Sequence, residues 1–170
     1  ENLKKIKTFC LLHSKEINHE VGTSINKRII KITNNSDYVI ANSNFTKNLA
    51  IKIGIDASKI HVIFPGISIP NEIDPYFKKE AANYYQDSFP KIITVARLEK
   101  RKSHDKILMS IKNLKSKYPR VKYISVGSGK EKEKLLNLTK ELKLEDHVLF
   151  LNNIDHNLKN ALVSAADLFV

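Results

Sequence analysis

The chain has 170 residues, 42% hydrophobic and 28% charged, a globular composition that suits one ordinary domain or two partial ones and excludes a disordered or fibrous protein. Its formal charge of +11 invites a polyanion partner, yet the excess is mostly Lys scattered along helical segments, with Arg only at positions 28, 97, 101 and 120. No stretch interleaves basic and aromatic residues as a single-strand-binding surface would, so nucleic acid is set aside, while weak attraction to an anionic membrane face stays open.

Cys10 stands alone in an apolar run, which gives no disulfide framework and favours a reducing, cytoplasmic setting, at most at the inner face of a membrane. No apolar run reaches the roughly 18 residues of a membrane span, and no signal-peptide pattern opens the chain. The sequence begins on Glu1 without Met and stops inside the run Leu168–Val170, so it is expected to be part of a longer chain.

In chain order, Phe9–Leu12 reads as a buried strand. Ile25, Ile29 and Ile32 then recur at helical steps and are expected on one inward face. Tyr38–Ala41 is a second strand, followed by a helix capped by Ser43 or Asn44, with Gly54 at its left-handed end, and Ile60–Phe64 is a third. Pro65, Pro70, Pro75 and Pro90 crowd the stretch 65–90, which has no clear period and reads as a connector. A second series follows: strand Ile92–Ala96, helix Ser103–Tyr118, strand Val121–Val126, helix Glu131–Leu142, strand Val148–Leu151, helix Leu158–Ala166 and a strand from Leu168. Alternating strands and helices predict an α/β fold with parallel sheets: part of one Rossmann-like unit over 1–64, a linker over 65–90, and most of a second unit over 91–170.

Ligands of such sheets bind where the strands end. After Ile92–Ala96 come Arg97, Lys100, Arg101 and Lys102, four cations ahead of a positive helix N-terminus, an arrangement suited to a diphosphate; a solvated basic loop is the competing reading. After Val121–Val126, Gly127 and Gly129 would let a phosphate or base approach the backbone, or merely make a tight turn. His13, directly after the first strand, is placed for hydrogen bonding or acid–base work, although a lone His is more often structural. No metal-ligating cluster and no serine-nucleophile elbow is present in the sequence.

The stretch Val95–Ser103 resembles the G-R-L-x-x-x-K-G segment of the family 4 (group 1) retaining glycosyltransferases of GT-B fold. Further segments are similar to the same family, in its order: Ser36–Ser43, Ser58–Ile67, Val126–Gly129, Asp146–Leu151 and Ala165–Val170. The resemblance implies transfer of a sugar, with retention, from a nucleotide-diphosphate sugar (UDP- or GDP-linked) to a glycan or lipid-linked acceptor in polysaccharide or glycoconjugate biosynthesis. No metal or other cofactor is implied. Arg97 and Lys102 match the pair that grips the donor diphosphate, Gly127 and Gly129 the turn near the nucleotide, and His13 the amino-terminal-domain His that faces the donor sugar. Ala96, Ser103 and Asn152 stand where the family usually has Gly, and Pro65 where it has Asn. The family's E-x7-E segment and its amino-terminal Gly-rich loop are expected outside the 170 residues, so the chain alone is expected to be inactive. The alternative is a non-catalytic Rossmann-like module that binds nucleotides or protein partners.

Overall fold

The computed structural model describes residues 6–67 and 72–170, and the chain divides into two compact units between residues 69 and 70. The first unit runs β1 (Phe9–Leu12), α1 (Ser24–Asn35), β2 (Tyr38–Ala41), α2 (Asn44–Lys52), a 3-10 turn at Ala57–Lys59 and β3 (Ile60–Val62). The strands lie parallel in the order β1-β2-β3, with Cys10 opposite Val39 and Val39 opposite Ile60. Helical crossovers make that direction natural, since parallel neighbours cannot be joined by a tight hairpin. Leu12, Val39, Ala41 and Ile60 bury one face of this sheet with Ala50, Ile53 and Ile55.

α1 corrects the expected inward stripe. Ile25 and Ile32 are each 53% exposed, while Asn26 and Thr33 are buried and Ile29 and Ile30 pack on the core. The 26–29/30–33 row faces inward instead, and at its start the Thr23 hydroxyl caps the helix by accepting from Asn26 N–H while Asn26 Oδ1 accepts from Gly22 N–H.

The second unit runs α3 (Pro75–Tyr85), β4 (Lys91–Val95), a 3-10 turn at Lys100–Lys102, α4 (His104–Lys117), β5 (Lys122–Val126), α5 (Lys132–Glu141), β6 (Val148–Leu151), α6 (His156–Ala165) and β7 (Leu168–Phe169). Its parallel sheet has the order β6-β5-β4-β7. Strand alternation separates two cores. Ile92, Tyr123 and Val148 meet Leu108, Ile111 and Leu135 of α4 and α5, whereas Ile93 and Ile124 meet Ala81 and Tyr85 of α3 and Leu158 and Leu162 of α6. The chain steps outward from β4 to β6, then returns along α6 to place β7 on the other side of β4. Strand order therefore reverses at β4, and the crevice such a reversal opens lies beyond the carboxyl end of that strand.

The stretch 65–90 is not all connector, because α3 occupies residues 75–85 and belongs to the second unit. Pro75 sits in the first turn, where a missing N–H is harmless, and Asp74 caps by accepting from Tyr76 N–H. The Tyr85 hydroxyl donates to the Leu162 carbonyl at 3.1 Å, which fixes the end of α3 to α6. The part of that stretch at 68–71 lies outside the described residues. Among the described residues no helix is long and apolar enough to cross a membrane.

Candidate functional site

The loop between β4 and α4 is organised by one apolar anchor. Leu98 is fully buried, so its neighbours Arg97 and Glu99 both turn outward. The Glu99 carboxylate pairs with Arg97 Nη1 at 3.0 Å and accepts a hydrogen bond from Arg101 Nε at 2.8 Å. The Arg101 hydrogen bond, with the Arg97 guanidinium beside it, holds the Glu99 carboxyl below the usual carboxylate range. Lys100 and Lys102 form no ion pair among the described residues, so four cations face one carboxylate on this loop. The Arg97 side chain remains 69% exposed, with donors free for another anion.

The two glycines after β5 meet this loop directly. Leu98 N–H donates to the Ser128 carbonyl at 2.9 Å, and Glu131 N–H to the Leu98 carbonyl at 3.1 Å. A Cβ at Gly127 would overlap the Ala96 carbonyl, with its carbon at 2.9 Å, and the φ of +150° also disfavours a side chain. At Gly129 a Cβ would overlap the Leu98 carbonyl and lie 2.7 Å from its carbon and 2.8 Å from its nitrogen. Both glycines are thus needed for two strand-end loops to cross, whatever ligand is present.

Behind the loop lies a buried polar relay. His104, the first residue of α4, is 2% exposed; its Nε2 lies 3.3 Å from the Arg97 carbonyl and its Nδ1 3.3 Å from Tyr123 Oη. The Tyr123 hydroxyl donates to Thr94 Oγ1 at 3.0 Å, and burial pushes its pKa up, so it stays protonated. Neither His104 nor Glu99 was singled out from the sequence. A buried His on the first turn of a helix leaves no periodic signature, and Glu99 is one acid inside a basic run.

Side chains cap α1, α2, α3 and α6 through Thr23, Ser43, Asp74 and Asp155. Among the described residues no side chain caps α4 or α5, the helices that follow β4 and β5. Their first-turn N–H groups keep their pull on an anion, beside the Arg97–Lys102 segment. Ser103, which precedes α4, takes a left-handed conformation with φ 53° and ψ 33°, the geometry that suits the Gly usual there.

His13 belongs to the first unit. It is exposed at the end of β1, its backbone N–H donates to Glu16 Oε2 at 3.1 Å, and its ring makes no hydrogen bond among the described residues. It borders a cavity of about 330 Å3 at the carboxyl ends of β1–β3, shared with Leu11, Ile40, Asn42 and Phe64. Arg97, Lys102, Gly127 and Gly129 therefore gather in the second unit, and His13 stands in the first.

The family described as "Glycosyl transferases group 1" matches residues 76–170, and "Glycosyltransferase Family 4" matches residues 2–69. An uncharacterized glycosyltransferase of Methanocaldococcus jannaschii is 35% identical over 74 residues, which is 44% of this chain and 18% of that protein. The N-acetylgalactosamine-N,N'-diacetylbacillosaminyl-diphospho-undecaprenol 4-alpha-N-acetylgalactosaminyltransferase of Campylobacter jejuni is 30% identical over 135 residues, 78% of this chain and 34% of that protein. Among solved structures, Anabaena HepE in complex with UDP and glucose superposes with a TM-score of 0.78 over 96% of this chain and 45% of that one, at 22% identity, a likeness of fold. The chain spans about a third or less of the length of these two curated relatives. With that match over more than half its length, the chain belongs to the group 1 glycosyltransferases, and its two parallel α/β units are those of a GT-B fold.

Proposed function

We propose that the protein carrying this chain transfers a sugar, with retention, from a nucleoside-diphosphate sugar to a glycan or lipid-linked acceptor in polysaccharide or glycoconjugate synthesis, working at the cytoplasmic side of a membrane. One observation carries the reading: a cationic loop, Arg97 to Lys102, stands where strand order reverses and ahead of a helix whose N-terminus no side chain caps among the described residues. Arg97 offers a planar fork to the diphosphate and Lys102 a mobile point charge. As the sugar–phosphate bond breaks, negative charge grows on the departing diphosphate, and these cations stabilise it without a metal or other cofactor. Gly127 and Gly129 keep the β5 loop close enough for the nucleotide to lie over it. The His13 imidazole, which is exposed and makes no ring hydrogen bond among the described residues, is available to a hydroxyl of a ligand. The UDP and glucose of HepE and the diphospho-undecaprenol in the name of the Campylobacter relative support a nucleotide donor and a lipid-linked acceptor.

The test is release of nucleoside diphosphate from radiolabelled UDP- and GDP-sugars by the full-length protein. Wild-type turnover should fall by about 100- to 1000-fold in kcat on Arg97→Ala, the scale of removing one donor to a developing oxyanion. Binding of nucleotide without any sugar release would favour a non-catalytic module instead.

A further inference from the structure

We propose that His104 is a positioning residue for Arg97, holding the peptide from which the diphosphate-gripping side chain departs; this rests on the reading of Arg97 given above. The Arg97 carbonyl can only accept, so the His104 Nε2 at 3.3 Å from it must carry a proton. The same carbonyl accepts from Glu99 N–H at 2.9 Å, and the N–H of that very peptide, on Leu98, donates to the Ser128 carbonyl at 2.9 Å. The Arg97–Leu98 peptide plane is therefore held at both ends, by α4 on one side and by the β5 loop on the other. Since the peptide is rigid, fixing its plane fixes the last backbone angle of Arg97 and the direction in which its Cβ leaves the chain.

The imidazole is itself oriented from behind. Its Nδ1 is 3.3 Å from the Oη of fully buried Tyr123, whose proton goes to Thr94 Oγ1 on β4, three residues before Arg97, so with the ring proton on Nε2 the tyrosine packs against the imidazole and sets its plane rather than donating to it. These buried contacts tie β4, β5 and the first residue of α4 to one carbonyl. The glycines set how close the loops come, and His104 sets how the arginine is aimed.

The experiment titrates UDP and GDP calorimetrically into the full-length protein and its His104→Leu, His104→Gln, Tyr123→Phe and Arg97→Ala variants, with melting temperatures recorded for each. His104→Gln keeps an N–H near the Arg97 carbonyl and should bind the preferred nucleotide within about threefold of wild type. His104→Leu should weaken it by about tenfold or more, and Tyr123→Phe by less, as for other groups that orient a ligand's partner. Wild-type affinity in His104→Leu alongside weakened binding in Arg97→Ala would overturn the inference while leaving the arginine's role intact. Equal losses in the Leu and Gln variants, in step with melting temperature, would also overturn it, since a packing role needs no N–H. Absence of nucleotide binding in wild type, or an Arg97→Ala variant that binds normally, removes the reading beneath it and the inference together.

Discussion

The two units end their sheets in different ways. In the second, the loop after β4 is held by the buried Leu98, by backbone bonds to the β5 loop and by His104 beneath it. In the first, the loop after β1 leaves the His13 ring without a hydrogen bond among the described residues, beside an open cavity. On the proposed reading the difference matters, because a loop that is to grip a diphosphate needs its donors aimed before the ligand arrives. An exposed imidazole at the other sheet is free to adjust to what it meets.

Tyr85→Ala should cost about 3–5 kcal/mol, as for other large aromatic truncations in a core, and shift the calorimetric unfolding of the second unit; a residue in a mere connector would cost almost nothing. Gly129→Ala should cost about 3 kcal/mol, because the new Cβ meets backbone that cannot step aside, and chemical denaturation followed by circular dichroism reads it. Ser103→Gly acts in the opposite direction on the same loop. Relief of the left-handed strain should raise stability by about 1 kcal/mol in the same assay. Gly66→Ala in the first unit should stay within about 0.5 kcal/mol of wild type, since nothing lies within 4 Å of the added Cβ.

The alternation of β-type and helix-type runs made most strands legible, and Val148–Leu151 falls where its apolar run stands. Ile107, Leu108, Ile111 and Leu114 face the core as their spacing implied. Two misreadings have physical causes. Prolines at 65–90 suggested a connector, yet Pro75 merely opens a helix whose buried Tyr85 gave no local clue. The Ile spacing of α1 points to the wrong face, because isoleucines stand on two rows of this helix and the row that packs on the core holds Ile29 and Ile30, leaving Ile25 and Ile32 exposed. At the site, the cationic run was plain in the sequence. The glycine crossing and the His104–Tyr123 contact were not, since each depends on residues brought together by the β4–β5 pairing, and the Glu99 clasp depends on the turn that the buried Leu98 sets within the loop.

The most direct measurement compares the affinities of a nucleoside diphosphate and the matching monophosphate for the full-length protein and for its Arg97→Ala/Lys102→Ala variant. The wild type should prefer the diphosphate, and the double variant should lose that preference while keeping its fold. A preference left intact after both charges are gone would contradict the assignment of this loop as the diphosphate grip.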